Sequence, residues 1–128
     1  MENAKAQVRA EFTTKDTRII VNLSVILFED GGSIVAYCPA LNVYGYGKTE
    51  IEARKSFEFC LSEFLNYSLK KKTFIAELES LGWTMKKRKK FIAPAFSYLL
   101  ERNKTLKKVM DTKDFKKISS PVSLPAFA

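Results

Sequence analysis

Arg18-Ile19-Ile20-Val21-Asn22-Leu23-Ser24-Val25-Ile26-Leu27, then Glu29-Asp30-Gly31-Gly32-Ser33, then Ile34-Val35-Ala36-Tyr37-Cys38, is the stretch that decides the fold class. In its first run Ile19, Val21, Leu23, Val25 and Leu27 alternate with Arg18, Ile20, Asn22, Ser24 and Ile26. Successive side chains of a strand point to opposite faces, so a period of two rich in β-branched residues predicts a strand with one face buried. Two adjacent glycines take positive φ at no steric cost and predict a tight hairpin turn after it. Residues 34–38 return as the second strand.

Working outward, Pro39 has no N–H to donate and ends that strand's pairing. Ala40-Leu41-Asn42 predicts a corner and Val43-Tyr44-Gly45-Tyr46-Gly47 a third strand. Glycines inside a strand mark a bulge or a close approach of another backbone. At Thr49 the period switches. Thr49-Glu50-Ile51-Glu52 reads as a capping box, with Thr49 capping a backbone N–H and Glu52 reaching back. Acidic Glu50 and Glu52 also suit the positive end of the helix dipole. The helix they open carries Ile51, Ala53, Phe57, Cys60, Leu61, Phe64 and Leu65 at helical spacing, as a core stripe, and ends within residues 68–72.

A shorter helix is expected at 74–81, stopped by Gly82. Trp83-Thr84-Met85 is expected as a fourth short strand. Pro94 suits the first position of a further helix, which Asn103 breaks before Leu106, Val109 and Met110 resume the apolar stripe. Residues 118–125 hold two prolines four apart, Pro121 and Pro125, and predict an extended edge segment or a docking arm. The expected fold class is therefore α+β: a small antiparallel or mixed sheet with a mostly helical, basic C-terminal extension. Three parts are expected. Residues 1–17 form a polar arm without a period, 18–85 the α+β domain, and 86–128 the basic extension with its extended tail.

Charge divides along the same line. Residues 1–68 carry 7 Lys and Arg against 9 Asp and Glu, a net −2, whereas residues 69–128 carry 15 against 5, a net +10. The sharpest cationic feature is Lys86-Lys87-Arg88-Lys89-Lys90. Five consecutive cations suit phosphate contact that is independent of base sequence and sensitive to salt, and neighbouring Trp83 and Phe91 offer stacking surfaces. The same run equally suits a solvated loop. No apolar run approaches the roughly 20 residues that cross a bilayer. The first residues have no signal-peptide core, so a cytoplasmic protein is expected. Cys38 and Cys60 lack disulfide-framework or zinc spacing and read as small buried residues.

The chain has no histidine, which removes the commonest general base and any histidine-based triad. Neither cysteine has a partner to activate it. Glu29 and Asp30 lie in a turn, and Glu50, Glu52, Glu58 and Glu63 lie on or near a helix; these read as a solvated turn and a capped helix. The expectation is no catalytic residue, no metal and no cofactor.

Taken in order, residues 25–32, then Tyr37-Cys38-Pro39-Ala40-Leu41, then Gly45-Tyr46-Gly47-Lys48-Thr49 and Glu52-Ala53 resemble the signature of the HicB family of antitoxins. The resemblance covers residues 18–70. It implies a β-β-β-α-β unit, similar to a pared-down RNase H fold. In that fold Tyr37, Cys38, Pro39, Leu41, Gly45, Gly47, Thr49 and Ala53 play mainly structural parts. It also implies an interaction protein: a HicB-like antitoxin, or an orphan relative, that neutralises a small HicA-like, mRNA-cleaving toxin by contact and self-associates as a homodimer. The alternative is a transcriptional regulator that binds DNA through the basic half, with Lys86 to Lys90 and Trp83 as the contact residues. A remnant RNase H-like hydrolase is a weaker third reading. The C-terminal half does not spell the DNA-binding module that many members carry: the strand-like Val122-Ser123-Leu124-Pro125 is not followed by the two helices of a ribbon-helix-helix unit, and a helix-turn-helix reading of residues 94–111 lacks a glycine turn.

Overall fold

The structure is a computed structural model describing residues 18–86 and 90–125. In chain order the elements are β1 (Arg18–Asp30), β2 (Ser33–Cys38), β3 (Val43–Gly47), α1 (Glu50–Lys70) and α2 (Phe74–Ser80). There follow β4 (Thr84–Lys86), β5 (Lys90–Ile92), α3 (Phe96–Arg102), α4 (Lys104–Thr112) and β6 (Phe115–Pro125). The fold is α+β. Its main sheet is antiparallel throughout in the order β3-β2-β1-β6, and β4 and β5 form a separate hairpin. The expected β1–β2 turn is present: Asp30 pairs with Ser33, and Gly31 and Gly32 between them take φ of +60° and +85°. Two positive φ values give the turn a twist that matches the strands it joins.

The sheet is covered on both faces, which departs from the single buried face read in β1. Register places Leu27 beside Ala36 and Ala36 beside Gly45, on the face where α1 lies. Ile26, Tyr37 and Tyr44 form the neighbouring row on the other face, with Phe28, Val35 and Tyr46 in the next. There Asn103 and α4 meet them. Val25, Ile26, Leu27 and Phe28 are consequently all buried. A strand sandwiched between helices loses its alternation and becomes a continuous apolar run. Only the first half of β1, where Ile20 and Asn22 are exposed, keeps one wet side.

The fourth strand of the sheet is β6, not residues 83–85. β6 pairs with β1 from Phe28↔Phe115 to Arg18↔Pro125. The three residues of β4 pair instead with β5, through Thr84↔Ile92 and Lys86↔Lys90. The boundary drawn between residues 85 and 86 thus falls inside a hairpin, and residues 115–125 belong to the same sheet as β1. The edge-segment reading of the two prolines fits the strand they occupy, since an edge strand tolerates a residue that cannot donate. Adjacent lysines tie β6 to helices on both faces. Lys116 Nζ lies 3.0 Å from Glu50 Oε1 at the start of α1, while Lys117 Nζ sits 4.5 Å from the centre of the Phe96 ring in α3. The Lys116 ammonium, with Arg54 in support, holds the Glu50 carboxyl below its ordinary range.

Helix boundaries follow the local chemistry. Gly82, at φ +99°, follows α2 as its stop. Pro94 precedes α3 by two residues instead of opening it, with Ala95 as the N-cap. Asn103 breaks the C-terminal stripe as expected, and its Oδ1 accepts from Leu106 N at 2.9 Å to cap α4. The arm at residues 1–17 lies outside the described residues.

Candidate functional site

Among the residues singled out in the sequence, Tyr37 to Leu41 form a buried corner. Tyr37 is 1% exposed, yet its hydroxyl is fully engaged: it donates to Asn42 Oδ1 at 3.2 Å and accepts from Asn103 Nδ2 at 2.7 Å. Burial raises its pKa well above the tyrosine range, with the Asn103 bond opposing in part. Asn42 turns the chain at φ +57°, a conformation asparagine accepts more readily than most residues. Beyond Pro39, Ala40 and Leu41 are buried, and the Ala40 carbonyl accepts from Trp83 Nε1 at 2.8 Å. That bond fixes a corner whose proline and turn leave few other donors.

Cys38 is fully enclosed, and burial pushes its thiol from an ordinary 9.0 up to about 12. A thiol held neutral is a poor nucleophile. In the native protein iodoacetamide is expected to label Cys60, which is partly exposed, and to spare Cys38 until the chain is unfolded; equal labelling of both in mass spectra of native protein contradicts this burial. Stability follows with a definite sign. The unfolded chain loses the Cys38 proton near pH 9 while the folded chain keeps it, so stability is complete below pH 9 and declines from there towards 12. Tyr37 acts in the same direction from about pH 10 upwards. Urea midpoints at pH 7, 9 and 10.5 are expected to fall in that order, and Cys38→Ala is expected to lessen the fall.

Gly45, Gly47, Thr49 and Ala53 form a seam between β3 and α1. A Cβ on Gly45 would fall on the backbone of Phe57 and on the Ala53 carbonyl, and one on Gly47 would meet Glu52 and the Ala53 nitrogen. Thr49 Oγ1 accepts from Glu52 N at 3.1 Å, and Glu52 Oε1 accepts from Lys48 N at 2.8 Å. The capping box therefore closes one residue earlier than its usual form. Tyr37, Cys38, Pro39, Leu41, Gly45, Gly47, Thr49 and Ala53 are thus spent on building the fold.

The basic run fares differently. Lys87, Arg88 and Lys89 lie outside the described residues, and Lys86 and Lys90 are paired backbone positions of the β4–β5 hairpin. Trp83 and Phe91 are 3% and 6% exposed, and Phe91 packs edge-on to Phe74 with ring centres 6.0 Å apart. Neither ring is available to stack on a base. The stacking role read for Trp83 is corrected to a core role.

Sequence reasoning missed a second set of residues. Tyr37, Tyr44 and Tyr46 form a stacked row, with ring centres 4.2 and 6.3 Å apart and planes within 15°. Its outer member, Tyr46, is 57% exposed. Across from it, α4 presents Lys108, with Lys104 and Lys107 exposed beside it. The available signal was the Tyr-Gly-Tyr alternation, which places Tyr44 and Tyr46 on one face of β3. Among the described residues no three of the Cys, Asp and Glu side chains gather at metal-binding range, and no helix is long and apolar enough to cross a membrane.

No family model matches the chain, and neither a curated protein nor a solved structure matches it. The functional reading rests on the residues themselves.

Proposed function

We propose that the chain is a HicB-like interaction protein, an antitoxin or an orphan relative, acting by macromolecular contact and not by catalysis. The supporting observation is the division of labour in residues 37–53. The corner, the glycine seam and the capped helix are built by the same residues that resemble the family signature, and Cys38, a reactive residue type, is shielded. The outward side of α1 carries Phe59 and Tyr67 together with Ile51, which lies in the helix's first turn outside the core stripe expected to include it; each is more than 60% exposed, which is apolar area suited to a partner. On this reading the protein is a cytoplasmic homodimer that blocks a small mRNA-cleaving toxin.

Co-expression with a HicA-type ribonuclease tests it. Restored growth, together with inhibition of RNA cleavage by the purified chain, is the expected outcome. Unimpeded cleavage at a several-fold molar excess of the chain defeats the reading.

A second reading, nucleic-acid binding through the basic half, is favoured by one observation. Residues 101–117 hold seven Lys and Arg against three Asp and Glu, and Lys104, Lys107 and Lys108 have no ion-pair partner among the described residues.

A further inference from the structure

Two clefts border α4, one along its length and one at its N-terminal end, and Thr105 lines both. The first, about 380 Å³, lies between the sheet and the helix. Tyr44 and Tyr46 line its sheet side, and Lys108 and Lys113 its helix side. Asp30 also borders it, but Lys113 Nζ holds that carboxylate at 3.1 Å, leaving Lys108 as the cation that can meet an incoming anion. The second cleft, about 370 Å³, is bounded by Tyr98, Arg102 and Lys104. There the Arg102 guanidinium lies 5.1 Å from the centre of the Tyr98 ring, which is 40% exposed.

We propose that these two clefts form one path for single-stranded nucleic acid, with phosphates on Lys104 and Lys108 and bases stacked on Tyr46 and beside the Arg102–Tyr98 pair. The proposal stands apart from toxin binding and moves the nucleic-acid contact away from Lys86–Lys90. Three features select this ligand. Each cleft pairs planar aromatic surface with cations, the combination that holds unstacked bases and their backbone without reading sequence. The row Tyr37-Tyr44-Tyr46 already stacks at 4.2 and 6.3 Å, so a base on Tyr46 extends an existing column. A base inside a duplex presents no free face to such a ring, so a duplex would meet only the lysines. An acidic peptide would satisfy the lysines but leave the aromatic surfaces unused.

The test is fluorescence anisotropy on the full chain at about 50 mM salt. The probes are a labelled uridine decamer, its deoxythymidine counterpart, a duplex of the same length, and unlabelled uridine monophosphate as competitor. One stacked base is worth roughly a tenfold change in affinity. Tyr46→Ala is therefore expected to weaken decamer binding about tenfold, and Tyr46→Phe to restore it, both with unchanged circular dichroism. Lys104→Glu and Lys108→Glu are each expected to lower the slope of log affinity against log salt by about 0.7. Uridine monophosphate is expected to compete at least a hundredfold less well than the decamer, since it occupies one cleft only. Four results overturn the proposal: no decamer binding, binding indifferent to Tyr46→Ala, a duplex preferred to the single strand, or a monophosphate that competes as well as the decamer. A glutamate-rich peptide that displaces the decamer and binds more tightly than it would also overturn the proposal and assign the clefts to an acidic protein segment.

Discussion

Gly45→Ala is expected to destabilise the protein by about 3 kcal/mol, a large share of a small domain's stability and roughly a hundredfold rise in its unfolded fraction. The added methyl would meet the backbone nitrogen of Phe57 and the carbonyl of Ala53, not the flexible end of a side chain. Relief requires α1 to move away from β3, and Ala53, Phe57 and Leu65 are all buried on that same helix. The helix cannot back away at one point without opening its whole buried stripe, because interiors are close-packed. Gly31→Ala provides the contrast. Nothing lies within 4 Å of the added carbon there, and only the φ of +60° is unfavourable. Its expected cost is about 1–2 kcal/mol. Thermal melts of the two variants separate the causes, and a Gly45→Ala protein melting within a few degrees of wild type would falsify the close helix–sheet contact.

Trp83→Ala is expected to cost about 3–5 kcal/mol, and Trp83→Phe about 2 kcal/mol. The first removes a large side chain that is 3% exposed. The second keeps most of that bulk but leaves the Ala40 carbonyl, in a buried corner, without the donor it now has at 2.8 Å. Trp83 is the only tryptophan in the chain, so stability should be followed by circular dichroism in the variants. In the wild type its emission should be blue-shifted and should move little when the uridine decamer is added. Strong quenching by the decamer, with little loss of stability in Trp83→Phe, would place this ring back at the surface and revive its stacking role.

These expectations concern residues whose types were legible in the sequence but whose settings were legible only in part. Gly45 and Gly47 could be read as points of close approach, because a glycine in a strand has few other uses. Thr49 and Glu52 declared a helix start through spacing alone, since capping is local chemistry. Trp83 was different. Beside five cations it resembled a stacking residue, and only its partner Ala40, 43 positions earlier, reveals its task. Tyr37 likewise looked like one member of a strand, while its hydroxyl answers to Asn103, 66 positions away. Strand β1 was legible as a strand, yet its second buried face depends on α4, which no local pattern announces. The aromatic row at Tyr44 and Tyr46 escaped for the same reason: alternation gave the face, but not the cationic helix opposite it. Local rules thus recovered turns, caps and most element boundaries. What they missed was set by contacts between distant segments.

The β1–β6 ladder carries a consequence for the order of events during synthesis. Arg18 pairs with Pro125, so the first strand leaves the ribosome on the order of a hundred residues before its neighbour exists. Pairings this distant along the chain slow folding, because the loop must close before any of its contacts repay the lost entropy. Until residue 115 and those after it emerge, β1 can pair with β2 on one side while its other edge stays open. An open strand edge is a template for pairing with another chain. The nascent protein therefore passes through a stage in which the open edge of β1 can accept a foreign strand, and β6 ends that stage by replacing this edge with one interrupted by Pro121 and Pro125.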